Sequence, residues 1–84
     1  MQFVYIVQKK SGLHVRPATI LAQEAQKFAS TMTISAHNKS ADLKKVFGIV
    51  GLGAKCGDSI CIEIVGEDAE AAGKRLQQVI EKNL

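Results

Sequence analysis

Thr31-Met32-Thr33-Ile34-Ser35-Ala36-His37-Asn38-Lys39-Ser40-Ala41-Asp42-Leu43 is the stretch that decides the fold. Its first half alternates, with Met32 and Ile34 on one face and Thr31, Thr33 and Ser35 on the other, the pattern of a half-buried strand. His37-Asn38 reads as a tight turn, because asparagine tolerates the left-handed backbone that such turns need. Lys39 to Leu43 then returns as a short strand, polar enough for a sheet edge. One apolar face per strand implies a sheet covered on one side only, so the rest of the chain must supply the cover.

The flanking segments supply it. Upstream, Val15 to Phe28 places Ala18, Leu21, Ala22, Ala25 and Phe28 on one stripe of an amphipathic helix, leaving Ile20 near the surface. Downstream, Lys45 to Leu52 is short and ambiguous, and strand is the alternative. A short helix is favoured because Gly51 and Gly53 provide a stop, and because Ile49 and Leu52 can face a core together. Val46, Phe47 and Val50 then form a second apolar face, and periodicity leaves open whether Phe47 is exposed or tucked in. Ser59 to Val65 is a strand with Ile60, Ile62 and Ile64 on one side, entered through a turn at Lys55 to Asp58. Asp68 stands where an N-cap would open a last helix running to Asn83, with Ala69, Ala72, Leu76, Val79 and Ile80 as its stripe. Gly73 within it costs about 1 kcal/mol in helix propensity, or permits close packing on the sheet. Phe3 to Val7 is a first strand, with Val4 and Ile6 facing away from Phe3, Tyr5 and Val7. The order strand, helix, strand, strand, short helix, strand, helix defines an α+β two-layer domain with helices on one face of a small sheet. No linker or repeat divides residues 1–84.

Composition narrows the function. A chain of 84 residues builds one modest core, and 46% hydrophobic with 23% charged residues is ordinary for a globular protein. The net charge of +3 favours an acidic partner surface. Nucleic-acid binding is not expected, since the basic residues are scattered and no aromatics interleave them. No stretch is apolar for long enough to span a bilayer, and Met1 leads into a strand rather than a signal peptide, so a cytoplasmic protein is expected. Cys56 and Cys61 lie five apart around a glycine turn, which is not a CxxC spacing. They read as reduced thiols, and neither a metal nor a cofactor is expected. Val4, Ile6, Cys61 and Val65 would make the outer sheet face unusually apolar. A monomer is expected, with a homodimer through that face as the alternative.

Chemistry concentrates in Gly12-Leu13-His14-Val15-Arg16-Pro17-Ala18. His14 immediately precedes a helix start at which Pro17 is tolerated because its missing N–H is not needed. The free amides and positive dipole end of that helix favour an anion. Arg16 adds a planar guanidinium suited to phosphate oxygens. Histidine titrates near 6.5 in unperturbed form, so a neutral ring nitrogen is available as a nucleophile at neutral pH. Each feature alone is common; together they point to a histidine that carries a phosphoryl group. His37 has neither a following helix nor a neighbouring arginine and reads as a turn residue.

This heptapeptide closely resembles the active-site signature of the HPr family, the histidine-containing phosphocarriers of the bacterial phosphoenolpyruvate-dependent sugar phosphotransferase system. Val15 stands where alanine or threonine is more usual. Leu43-Lys44, Gly48, Leu52-Gly53 and Gly66 to Asp68 also fall at the family's spacings. The resemblance implies a βαββαβα open-faced sandwich, a four-stranded antiparallel sheet with three helices on one face. It implies that His14 is phosphorylated on Nδ1 by Enzyme I and donates to a IIA domain. Arg16 and the helix start at Val15, Arg16 and Pro17 would support the phosphate. It further implies that Thr19, Ile20 and Gln23, with Val46, Phe47 and Val50, form the partner-docking face, bordered by basic Arg16 and Lys45. The family's regulatory serine is matched here by Lys45, which has no hydroxyl, so control by serine phosphorylation is expected to be absent. The rival reading is an HPr-like regulatory module that docks on a metabolic enzyme or regulator without relaying phosphate; retention of both His14 and Arg16 speaks against it.

Overall fold

A computed structural model describes all 84 residues, Met1–Leu84. Its elements are β1 (Gln2–Ile6), α1 (Val15–Ala25), β2 (Thr31–Ala36), β3 (Lys39–Asp42), α2 (Val46–Val50), β4 (Ser59–Val65) and α3 (Ala69–Asn83). His37 and Asn38 both take positive φ, 53° and 62°. That pair of left-handed residues matches the twist of a two-residue hairpin. β2 and β3 accordingly pair antiparallel with Ala36 opposite Lys39. β4 inserts between β1 and β2, giving the order β1-β4-β2-β3 with every pairing antiparallel. The polar strand β3 is at an edge, as its composition requires.

β4 forms the middle of the core. Ile60 and Ile62 lie opposite Tyr5 and Phe3 on β1, while Ile62 and Ile64 lie opposite Ile34 and Met32 on β2. The three isoleucines, Met32 and Ile34 are buried beneath the helices. Leu21, Ala22 and Ala25 of α1, Ile49 of α2, and Leu76 and Ile80 of α3 close over them. Burying a large aliphatic side chain is worth about 1.5–3 kcal/mol, so this single layer of contacts is the main source of stability. The opposite sheet face carries Val4 and Val65, both largely exposed.

Two local expectations are corrected and a third is made more specific. The first helix ends at Ala25 rather than Phe28, because Lys27 and Phe28 donate to carbonyls only three residues back, those of Glu24 and Ala25. Such tightening is a common way to satisfy the last turn. Asp68 occupies the N-cap position of α3 but makes no capping bond. Its carboxylate accepts instead from the Ala29 and Ser30 amides, at 2.8 and 3.0 Å, and from the Ser30 hydroxyl. Finally, Gly73 does not bring α3 against the sheet alone. The thioether of Met1 occupies the space that a Cβ there would need. Met1 is fixed by its ammonium donating to Ile64 O at 2.8 Å and by Ile64 N–H donating to Met1 O at 2.7 Å.

Candidate functional site

The loop before α1 is held by backbone and leaves its side chains free. Gly12 takes φ +68°, and a Cβ there would meet Ala54 O at 2.8 Å and Lys55 Cα at 3.0 Å. Only glycine allows this approach. Leu13 is buried and donates its N–H to Ala54 O at 3.0 Å. His14 follows as the N-cap of α1, in extended conformation, with an exposed side chain that makes no capping bond. Its carbonyl accepts the first helical hydrogen bond, from Ala18 at 3.1 Å. The amides of Val15 and Arg16 precede that bond and are therefore the free donors of this helix end. Pro17 falls at the third helical position and has no N–H, so it shapes the helix start without donating to an anion.

Arg16 is exposed and takes no part in the three ion pairs, which are Lys27–Glu24, Arg75–Glu24 and His37–Asp58. A shallow pocket of about 160 Å³ surrounds His14 and Arg16. Its wall brings in three polar residues that sequence reasoning missed: Lys9, Ser11 and Asn83. Lys9 and Ser11 lie in the loop read only as a connector. Asn83 arrives from the far end of the chain, and no local signal places it here. An accessible imidazole, two free amides, a free guanidinium and Lys9 around one pocket can accept a dianionic group and hold it at the surface.

The expected docking residues divide over two shoulders of α1, which packs against α2 on one flank and α3 on the other. Phe47 on α2 is 85% exposed, which decides the question its periodicity left open. Val46 and Val50 are half-buried beside it, and Val15 on α1 adds an exposed apolar side chain. Thr19 is half-buried with its hydroxyl donating to Val15 O, and Gln23 is exposed. Ile20 lies on the other shoulder, half-buried and lining the depressions on the α3 side. Lys45 is exposed at the N-cap of α2 and makes no capping bond. His37 sits in its hairpin turn with Nε2 2.8 Å from Asp58 Oδ2.

The family model described as the PTS HPr component phosphorylation site matches residues 1–82. The chain belongs to the HPr family. It is 39% identical over 79 residues to the phosphocarrier protein HPr of Mycoplasma capricolum subsp. capricolum, covering 94% of this chain and 89% of that one. It is equally identical, over 80 residues, to a multiphosphoryl transfer protein of Xanthomonas campestris pv. campestris. There the match spans 95% of this chain but only 10% of the larger protein. The fold superposes on the solved histidine-containing phosphocarrier protein of Mycoplasma with a TM-score of 0.95 at 38% identity, covering 98% of this chain and 93% of that one. HPr proteins are phosphocarriers of the phosphotransferase system, and the four-stranded open sheet with three helices on one face is the architecture found here. No helix is long and apolar enough to cross a membrane.

Proposed function

We propose that His14 accepts a phosphoryl group from phospho-Enzyme I and donates it to a IIA domain, in the cytoplasm and without a cofactor. The observation that carries this reading is the exposed His14 at a helix start whose Val15 and Arg16 amides, and whose Arg16 guanidinium, have no partner within the protein. In the accepting step the lone pair of neutral Nδ1 forms a P–N bond as the bond between phosphorus and the donor's imidazole breaks, with that electron pair returning to the donor. The donating step is the reverse with the IIA nucleophile. Amides and guanidinium stabilise charge on the phosphoryl oxygens in both directions, so neither donor nor acceptor is trapped. Phe47 with Val46 and Val50 on α2, and Val15, Thr19 and Gln23 on α1, would seat the partner. An apolar centre with a polar rim suits a transient complex. The protein works as a monomer in this scheme.

Incubation with Enzyme I and labelled phosphoenolpyruvate tests it. One acid-labile, alkali-stable phosphate per chain is expected, absent from His14→Ala and transferred on addition of a IIA domain. Absence of label, or label persisting in His14→Ala, overturns the reading.

A further inference from the structure

A second depression, of about 320 Å³, lies between α1 and α3 and is larger than the one around His14. The two share Ile20 and Asn83, so they form one continuous groove running from His14 along the side of α1 away from Phe47. Arg75 stands at its far end. Glu24 Oε1 accepts from Arg75 Nε at 2.7 Å, while Lys27 binds the other oxygen of Glu24 at 2.8 Å. The pair thus holds the guanidinium in place by one edge and leaves its Nη donors unengaged. Lys82 lines the groove beside Asn83, nearer to His14, and Lys9 and Arg16 lie at its mouth; none of the three is in an ion pair. The only acidic side chain in the lining, Glu24, is already neutralised by two cations.

We infer that this groove receives an acidic segment of the protein that donates the phosphoryl group to His14. The inference rests on the proposed phosphoryl relay. The lining sets the chemistry: a fixed arginine fork and flexible lysines recognise carboxylates, and Ile20 and Val79 give an aliphatic floor. Continuity sets the identity, because whatever reaches His14 has the groove beside it. The Phe47 patch on the other shoulder of α1 then supplies apolar contact, and the groove supplies charge attraction that speeds encounter.

The test measures second-order phosphoryl transfer from phospho-Enzyme I to the full chain. Lys82→Glu is compared with Lys39→Glu, which makes the same change in net charge on the distant strand β3. Neither lysine side chain makes a hydrogen bond or ion pair within the protein, and thermal unfolding verifies that both variants fold. Lys82→Glu is expected to slow transfer about tenfold at low ionic strength, with the gap closing at high salt and the rate at saturating partner unchanged. Lys82→Gln should fall between it and the wild type, and Lys39→Glu should match the wild type. Equal rates for Lys82→Glu and Lys39→Glu, with the wild type phosphorylated normally, overturn the groove alone. A wild type that takes no phosphate overturns the relay and the groove with it.

Discussion

The two ends of α1 differ in how far the fold engages their polar groups. At its C-terminal end polar groups are engaged across the fold. Gln26 Nε2 donates to Lys44 O at 2.8 Å, and Lys44 Nζ donates to Phe28 O at 2.8 Å. Asp68 takes both amides that follow, those of Ala29 and Ser30, and Glu24 binds Lys27 and Arg75. At its N-terminal end His14, Arg16 and the first amides are engaged by nothing, although Gly12 and Leu13 fix the backbone beneath them. One end of the helix is closed for stability, and the other is kept open on a rigid support. The difference teaches that the groups at the open end, set on a fixed backbone, are available to a ligand.

If that division is right, substitutions at the two ends should separate function from stability. Arg16→Ala is the largest test. It should lower the rate of phosphoryl transfer about a hundredfold, the loss of about 2.7 kcal/mol that removal of one preorganised charge-stabilising donor brings. Thermal unfolding should stay within about 0.5 kcal/mol of wild type, because Arg16 supports nothing else. A large fall in Tm would show that the open end is structural after all.

Gly66→Ala strikes the closed end. Gly66 has φ +153°, and a Cβ there would lie 2.8 Å from Ser30 Cα and Cβ. Strain and overpacking together should destabilise by about 2 kcal/mol, read by urea or thermal unfolding, with transfer per folded molecule unchanged. Lys44→Met comes next, at about 1 kcal/mol, since it removes a charged donor from Phe28 O in a partly buried setting. If either variant slowed transfer while remaining fully folded, the two ends would not be independent.

The sequence reveals the open end far better than the closed one, and the reason is physical. An imidazole beside a helix start, an arginine two residues on and a proline are local signals, so Gly12 to Ala18 can be read without knowing what surrounds it. The alternation in Thr31 to Ala36 and Ser59 to Val65 is likewise local, and strand faces and the hairpin follow from it. The clamp at the closed end is made across 38 residues by Asp68 and Ser30. An aspartate before a helix looks like a cap by every neighbourhood rule, and only the packing of the loop between α1 and β2 beside it redirects the carboxylate. Asn83 and Lys9 escape for the same reason. Phe47 is intermediate: its spacing admits two faces, and only the position of α2 at the rim of the sandwich chooses the exposed one.

Acid offers the finest separation of the two ends. Asp68 is held below the usual carboxylate range by the Ser30 hydroxyl and then by the Ala29 amide, and Glu24 by Arg75 and then by Lys27. Carboxylates whose folded values are depressed contribute stability that is complete above the unfolded value, near pH 4, and that disappears as pH falls through the folded value. These groups should therefore add no slope to stability between about pH 6 and 8, and a progressive loss below about pH 4. Asp68→Asn should flatten that acid limb, and an unchanged limb would show that the clamp is not what acid releases. Amide shifts measured by NMR give the same comparison residue by residue. Those of Ala29 and Ser30 should move in the acid range as Asp68 takes its proton. Those of Val15 and Arg16 should stay still there, because no carboxylate bonds to their end of the helix.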